Sequence, residues 1–192
     1  MEERRIRRTK NAFKKHFIEL VKEKGYSAVT VTDIVDHADY NRSTFYAYYL
    51  DKEDLANQLL DEMMKLLNES FYQPFTMEVQ VQYEQIENQS HNTFFQHIYE
   101  NRHFYALLTI PNSIPNLQNR FLEQFKKMFL NIHYLDEMNN IINIDHYNTY
   151  KMYGSYGVIL EWIANGCKEE PTQFSEAILS IFQTPSTSFC FK

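Results

Sequence analysis

The sequence is poor in cysteine and glycine. Its two cysteines, Cys167 and Cys190, fit neither a metal-binding spacing nor a disulfide framework. Only four glycines occur, and no Gly-rich phosphate loop, nucleophile elbow, Cys/His cluster or readable carboxylate pair is present. The sequence therefore predicts a protein that is not an enzyme and that uses no metal or other cofactor.

Long hydrophobic runs are also missing. The mean hydropathy is −0.51, and no apolar stretch approaches the length of about 18 residues that suggests a membrane-spanning helix. The first ten residues, MEERRIRRTK, lack the apolar segment of a signal peptide. We therefore expect a cytoplasmic protein with no membrane partner. Its 44% hydrophobic content is typical of a globular chain with a sizeable core.

Charge is divided unevenly along the chain. Residues 1–51 hold 10 Lys/Arg and 8 Asp/Glu, whereas residues 52–192 hold 9 and 17, within a total net charge of −6. Positive charge concentrates at the start, in Arg4, Arg5, Arg7, Arg8, Lys10, Lys14 and Lys15. These side chains either neutralise nucleic-acid phosphates or form an ordinary solvated face. The acidic total does not exclude a nucleic-acid partner.

The most informative stretch is TVTDIVDHADYNRSTFYAYYLDKEDL, residues 30–55. Thr30 followed three residues later by Asp33 is typical of a capped helix start. The apolar side of this helix consists of Ile34, Val35 and Ala38. Turn-forming residues at 39–41 then end it, and Asn41 is a candidate cap for the next helix.

A second short helix is predicted from Arg42 to about Tyr49. The 3.6-residue period places Phe45 and Tyr49 on a packing face and Arg42 and Tyr46 on an outer face. Two short helices joined by a turn of roughly three residues form a helix-turn-helix, whose second helix fits the DNA major groove, about 12 Å wide. In this arrangement Arg42 is expected to read a guanine. The alternative is an ordinary helical hairpin whose tyrosines and serines are merely solvated.

The same stretch resembles the DNA-binding domain of the TetR family of bacterial transcriptional regulators. The likeness rests on Thr30, Ile34, Ala38, the segment FYAYY at 45–49 and the segment KEDL at 52–55. It implies core roles for Phe45 and Tyr49. It implies DNA contacts from nine positions: Thr30, Thr32, Asn41, Arg42, Ser43, Thr44, Tyr46, Tyr48 and Lys52.

Two positions in the turn depart from the family pattern. Asp39 stands where the family usually has Gly, and Tyr40 stands where a small aliphatic residue usually follows. Aspartate tolerates the left-handed conformation, so we expect the turn to survive. Tyr40 either packs in the core or leans its hydroxyl onto the DNA.

The rest of the chain predicts an all-α protein of about nine helices. We expect a DNA-binding domain at residues 1–51 and a larger helical regulatory and dimerisation domain at residues 52–192. The expected helices run from about Arg4 to Lys24, from Asp51 to about Phe71, from about Glu84 to 101, from Arg102 to Thr109, from Ile114 to Leu135, from Tyr147 to Asn165, and from Pro171 onward. In the last of these, Phe174, Ile178, Ile181 and Phe182 are expected to face inward.

Small residues interrupt one side of the predicted helix at 147–165. Glycine inside a helix costs roughly 1 kcal/mol relative to alanine, so two glycines indicate close approach of a second backbone. We predict a four-helix interface between two copies of the chain, and the TetR resemblance implies the same arrangement. The predicted interface residues are Tyr150, Gly154, Gly157, Ala164, Ile178 and Phe182. Such a homodimer requires a palindromic operator in double-stranded DNA.

Aromatic residues are abundant, with 15 Phe, 14 Tyr and one Trp. The candidates for an effector pocket are Phe94, Phe95, Tyr99, Phe104, Tyr105, Phe121, Phe125 and Trp162. Aromatics at helical spacing more often belong to a plain core than to a pocket, and no polar anchor identifies a ligand. His91, His97 and His103 recur every six residues, so they do not converge on a metal.

The sequence favours a sequence-specific DNA-binding transcriptional regulator, and the TetR resemblance implies a repressor whose operator binding is controlled by a small-molecule effector in the C-terminal domain. The order of features after Asn101 resembles the branch of the family that includes dihydroxyacetone-kinase-type regulators. The alternative is a TetR-like co-activator or protein-interaction module whose activity depends on a partner protein.

Overall fold

Every regular element in the described part of the chain is helical. The computed structural model describes residues 2–73, 91–130 and 143–183. Two short 3-10 helices, Tyr26–Ala28 and Ala106–Thr109, occur among its α-helices. The α-helices are α1 (Glu2–Lys24), α2 (Val31–Ala38), α3 (Arg42–Tyr46), α4 (Lys52–Tyr72), α5 (His91–Glu100), α6 (Arg102–Tyr105), α7 (Leu117–Leu130), α8 (Ile144–Ala164) and α9 (Pro171–Gln183). The prediction of an all-α protein with about nine helices is confirmed.

The predicted boundaries hold with a few differences. Helix α4 begins one residue after the predicted start at Asp51, and α8 begins three residues before Tyr147. Helix α9 begins at Pro171, as predicted. The predicted start near Glu84 and the predicted helical residues after 130 lie outside the described residues.

The chain packs as two compact units. The first unit consists of residues 1–65 and 103–125, and the second consists of residues 66–102 and 126–192. Helices α1, α2 and α3 therefore belong entirely to the first unit, and α8 and α9 belong entirely to the second. The expected boundary after residue 51 concerns a division of function and stays a prediction.

An aromatic cluster around Phe13 forms the interior of the first unit. The Phe13 ring lies 5.4 Å from the Phe45 ring and 6.4 Å from the Tyr49 ring, edge to face in both cases. All three side chains are buried. Burying a phenylalanine contributes roughly 1.5–3 kcal/mol, and each ring pair about 0.5–1.5 kcal/mol more. This packing holds α3 against α1 although α3 is short.

Helix α3 spans only five residues, Arg42–Tyr46, where a helix to about Tyr49 was expected. The backbone beyond it keeps helical hydrogen bonds, from the Ala47 N–H to the Ser43 carbonyl at 3.1 Å and from the Tyr49 N–H to the Phe45 carbonyl at 3.0 Å. Because the helical bonding persists to Tyr49, the predicted division into a packing face and an outer face survives the shorter helix.

Stacked aromatic rings organise the second unit, in which α5 packs against α9. Trp162 and Phe174 lie nearly parallel, with ring centroids 4.3 Å apart, and the Phe95 ring meets both edge-on. The Trp162 Nε1–H donates to the Glu169 carbonyl at 3.1 Å. The Tyr99 hydroxyl donates to Glu170 Oε1 at 3.1 Å. These contacts fix the loop between α8 and α9.

One side chain on α9 departs from the predicted orientation. Ile181 was expected to face inward but is 57% exposed, so that prediction is wrong. The buried face of α9 is centred between Ser175 and Ile178, and Ile181 lies roughly 90° from its middle at 100° per residue. Phe174 and Ile178 are buried, as expected. The side chain of Phe182 lies outside the described residues.

No α-helix in the described part of the chain has both the length and the apolar content needed to span a lipid bilayer.

Candidate nucleic-acid interface

The start of α2 is fixed by a reciprocal cap. The Thr30 hydroxyl accepts the Asp33 N–H at 3.2 Å, and Asp33 Oδ2 accepts the Thr30 N–H at 2.7 Å. Lys24 at the end of α1 adds an ion pair to the same carboxylate, with Nζ 2.8 Å from Oδ2. The Lys24 hydrogen bond, followed by those from Thr30, holds the pKa of Asp33 well below its usual range. The predicted cap is confirmed, and the Thr30 hydroxyl is engaged within it.

The turn after α2 accommodates both departures from the family pattern. Asp39 adopts φ 56° and ψ 47°, the left-handed conformation that glycine favours and that aspartate tolerates. The Tyr40 ring lies 5.2 Å from the Phe13 ring, and its hydroxyl oxygen lies 3.5 Å from Thr9 Oγ1. Tyr40 therefore packs onto α1, as the first of its two predicted roles requires, and it is half-buried there.

The two faces of α3 differ as the helical period predicts. Phe45 is fully buried and Tyr49 is 2% exposed, while Tyr46 is 54% exposed. Asn41 occupies the cap position, but its side chain makes no capping hydrogen bond. The outer face consists of Asn41, Arg42, Ser43 and Tyr46, all exposed, with Thr44 and Tyr48 half-buried at its edges.

A side-chain hydrogen bond joins the first turns of α2 and α3. The Arg42 guanidinium donates through Nη2 to the Thr32 hydroxyl. Both side chains are exposed, and both are among the predicted DNA contacts. The bond sets the direction of the guanidinium on the outer face.

Lys52 lies at the start of α4 and is bonded to the backbone before α2. Its ammonium donates to the Tyr26 carbonyl at 2.9 Å and to the Val29 carbonyl at 2.8 Å, and lies 4.4 Å from the centre of the Tyr26 ring. Desolvation by burial lowers the pKa of Lys52. An ammonium has three N–H donors, so one remains for a phosphate oxygen.

All nine predicted DNA contacts lie in the first unit.

Leu50 is a feature of this surface that sequence reasoning missed. It is 82% exposed and follows Tyr49 directly. Its N–H donates to Asp54 Oδ2 at 2.9 Å, while the Asp51 carboxylate accepts the Asp54 N–H at 2.8 Å. An apolar residue immediately before a helix cap was the available signal. Leu50 places an apolar side chain beside the polar outer face.

The predicted effector-pocket residues divide between the two units. Phe104, Tyr105, Phe121 and Phe125 belong to the first, and Phe94, Phe95, Tyr99 and Trp162 belong to the second. All except Tyr99 are buried. Neighbouring rings contact one another, as with Tyr105 and Phe121 at 5.7 Å and Phe121 and Phe125 at 5.4 Å. These contacts are those of a core, which was the alternative interpretation.

An open groove of about 680 Å³ lies in the second unit between α8 and α9. Its walls include the stacked Trp162 and Phe174, with charged groups from Glu161 and Lys168. Of the predicted pocket residues, Trp162 is the one that lines this groove. Sequence reasoning missed Phe174 as a lining residue because it assigned the side chain only to the core.

The predicted interface residues on α8 face outward. Tyr150 is 73% exposed, and Gly154, Gly157 and Ala164 are exposed as well. A Cβ built on Gly154 or Gly157 would meet no atom within 4 Å among the described residues. Ile178 differs, because it is only 4% exposed. Packing within the described part of the chain therefore does not explain the two helical glycines.

Two family profiles match the chain. The profile described as "Bacterial regulatory proteins, tetR family" covers residues 18–59, and that described as "Transcriptional regulator C-terminal region" covers residues 87–184. An uncharacterised HTH-type transcriptional regulator, YxbF of Bacillus subtilis (strain 168), is 36% identical over 59 residues, or 30% of this chain. The chain spans 16% of the length of that curated relative.

Solved structures show the same fold at low identity. A transcriptional regulator from Aquifex aeolicus VF5 has a TM-score of 0.62 and 18% identity, covering 91% of this chain and 98% of that one. FadR from Bacillus subtilis, a transcriptional regulator in complex with stearoyl-CoA, has a TM-score of 0.59 and 16% identity, covering 88% and 95%. Since one family profile matches more than half of this chain and the other matches its helix-turn-helix, the protein belongs to the TetR family of bacterial transcriptional regulators.

Proposed function

We propose that this TetR-family regulator binds a specific DNA operator and acts as a repressor. The observation that carries the proposal is the two-faced α3. Its inner face is packed into the core through the buried Phe45 and Tyr49. Its outer face presents exposed hydrogen-bonding groups at Asn41, Arg42 and Ser43. A short helix braced in this way is suited to the major groove, where base edges carry distinct donor and acceptor patterns.

The roles of individual contacts follow from their chemistry. The Arg42 guanidinium, directed by its bond to Thr32, is suited to guanine O6 and N7. Ser43, Thr44, Tyr46 and Tyr48 carry hydroxyls that can donate to phosphate oxygens. Lys52 keeps one N–H for a phosphate, and its two carbonyl bonds hold the start of α4 beside the segment that enters α2.

The proposed active form is a homodimer built on α8 and α9. The exposed Tyr150 and the open positions at Gly154 and Gly157 support it, since a second copy of α8 could approach closely there. Ile178 is buried, so in this dimer it supports the interface from inside its own protomer and does not contact the partner. A two-fold dimer places its α3 helices about 34–36 Å apart, one DNA turn, and requires a palindromic operator.

The proposed effector is a small molecule bound by the regulatory part of the chain, residues 52–192 in the proposed division of function. The groove lined by Trp162 and Phe174 is suited to bind an apolar or amphipathic compound. FadR from Bacillus subtilis, whose fold is similar, is described with stearoyl-CoA. Stearoyl-CoA is therefore a reasonable first probe, with release of operator DNA as the readout.

One observation favours the alternative role, a co-activator or interaction module that depends on a partner protein. Residues 31–51 hold four aspartates and a single arginine, a net charge of −3 with histidine neutral. A DNA phosphate backbone repels such a segment. If this alternative holds, the isolated protein selects no DNA sequence and binds operator DNA only when the partner is added.

Selection from a random DNA pool tests the proposed function directly. The purified protein is incubated with double-stranded oligonucleotides, and the bound fraction is sequenced over several rounds. A palindromic consensus with half-sites one helical turn apart is the expected result. Bound sequences without any consensus would contradict sequence-specific binding, and a consensus without two-fold symmetry would contradict the dimeric arrangement.

A further inference from the structure

The helix-turn-helix of this protein is acidic, whereas the helix beside it is basic. Residues 31–51 carry a net charge of −3, but residues 1–24 hold nine Lys/Arg and four Asp/Glu, a net charge of +5. Binding to DNA depends on neutralising phosphates, and that term supplies much of the affinity. With a single arginine among its own residues, the helix-turn-helix needs positive charge from a neighbouring element.

The positive charge of α1 is concentrated in its first turns. We call Arg4, Arg5, Arg7 and Arg8 the basic strip. All four side chains are exposed. Within the described ranges none of them forms an ion pair, whereas Lys14 farther along α1 pairs with Glu62 and Lys24 pairs with Asp33. The basic strip therefore keeps its charge available for a partner outside the chain.

Contacts of Thr9 place the basic strip beside the start of α3. Thr9 is buried, its hydroxyl oxygen lies 3.5 Å from the Tyr40 hydroxyl oxygen, and Tyr40 immediately precedes Asn41, the cap of α3. The Thr9 hydroxyl also donates to the Arg5 carbonyl at 3.1 Å, one turn back along α1. Arg8, next to Thr9 in the chain, and Arg5, one turn earlier on α1, therefore lie near the turn that precedes α3.

The helical period places the arginines of the basic strip on different sides of α1. At about 100° per residue, Arg5 lies about 40° from the direction of Thr9, Arg8 about 100°, and Arg7 about 160°. Arg5 therefore lies on the side of α1 that carries Thr9, and Arg8 lies at the edge of that side. Arg7 points away from it.

We infer that Arg5 and Arg8 bind DNA phosphates that flank the half-site occupied by α3. They supply the sequence-independent attraction that the acidic helix-turn-helix lacks, while α3 reads the bases. This inference rests on the proposed function, since it requires an operator. It adds a second surface, on α1, to the DNA interface.

The salt dependence of operator binding tests the inference. The affinity of the full-length protein for its selected operator is measured between 50 and 200 mM salt. Over this range a protein with 6–10 phosphate contacts loses roughly 10³–10⁵-fold in affinity. The proteins compared are the unchanged protein, Arg5→Gln, Arg8→Gln and the double variant. Each lost phosphate contact lowers the slope of log K against log salt by about 0.9, so the double variant is expected to lose about 1.8. The consensus selected from random DNA should stay unchanged.

Arg7→Gln is the matched control, because it removes the same charge from the same turn on the opposite side. Its slope should stay close to that of the unchanged protein, and Arg5→Lys, which keeps the charge, should keep the slope. Equal slopes for the Arg5, Arg7 and Arg8 variants would overturn the inference. If the unchanged protein selects no operator, the proposed function itself fails. If it selects an operator but the variants keep the salt slope of the unchanged protein, only the inference about Arg5 and Arg8 fails.

Discussion

The interior of the head formed by α1, α2 and α3 and the outer side of α8 are both rich in aromatic residues but differ in their burial. In the head, Phe13, Phe45 and Tyr49 are buried against one another, and polar groups form most of the surface around α3. On α8, Tyr150 is 73% exposed and Tyr153 is 49% exposed. The head completes its core within one chain and offers polar groups to a partner. Helix α8 leaves apolar area in water, which is typical of a protein interface.

The largest expected effect tests whether the head depends on its internal cluster. Phe45→Ala should destabilise the head by about 3–5 kcal/mol, because it leaves a cavity among tightly packed rings. Hydrogen exchange of the α1 and α2 amides measures the loss. Tyr153→Ala, at a half-exposed site on α8, should leave the same amides unchanged. Equal losses in both variants would remove the distinction between the two regions.

A change on α8 should instead affect association. Gly157→Gln introduces a long side chain where the described chain has no atom within 4 Å of the Cβ position, so the protomer should fold. Sedimentation should then show a monomer, whereas the unchanged protein is expected to sediment as a dimer. Operator affinity should fall about 100-fold or more, because two linked heads bind with an avidity gain of about 10²–10⁴. A dimer that persists in this variant would place the interface elsewhere.

The outer face of the head should matter for recognition and not for folding. Arg42→Ala is expected to weaken operator binding by about 1–3 kcal/mol if the guanidinium makes a bidentate base contact. Thermal unfolding should change little, since Arg42 is exposed. Titrations with operators in which single guanines are replaced provide the control. The variant and the unchanged protein should differ least on the operator that lacks the contacted guanine.

The smallest expected effect concerns the one polar atom inside the aromatic cluster. Tyr49 is 2% exposed, and its hydroxyl has no hydrogen-bond partner among the described residues. Burial, with smaller contributions from Glu62 and Asp54, raises the pKa of this hydroxyl. Tyr49→Phe should stabilise the head by about 1 kcal/mol, because it removes an unpaired buried polar group. Denaturant unfolding that shows a loss of stability would indicate a partner for this oxygen.

Local patterns predicted the elements of the head well. The Thr30 and Asp33 cap and the left-handed Asp39 depend on residues within a few positions of one another, and the helical period alone separates Phe45 and Tyr49 from the exposed side chains around them. Contacts between distant segments were not predictable in this way. Lys52 was predicted only as a DNA contact, and its bonds to two carbonyls more than 20 residues earlier were not foreseen.

The second unit shows the limits of periodicity. Helical spacing correctly identified Phe174 and Ile178 as buried, but it also placed Ile181 inward. An apolar residue near a helix end fits the same spacing whether or not another segment covers its side chain. The candidate pocket aromatics were chosen by residue type. Their distribution over two units depends on packing between segments far apart in sequence, which no local pattern records.

The contact at Gly25 has a consequence for how the protein is made. Gly25 adopts φ +78°, a Cβ there would lie 3.3 Å from Asn112 Cβ, and the Tyr26 N–H donates to the Asn112 carbonyl at 2.8 Å. A ribosome adding about 5–20 residues per second reaches Asn112 roughly 4–17 seconds after Tyr26. During that interval the Asn112 carbonyl is not available to accept from the Tyr26 N–H. The nascent head therefore reaches its final packing only after more than half of the chain has been synthesised.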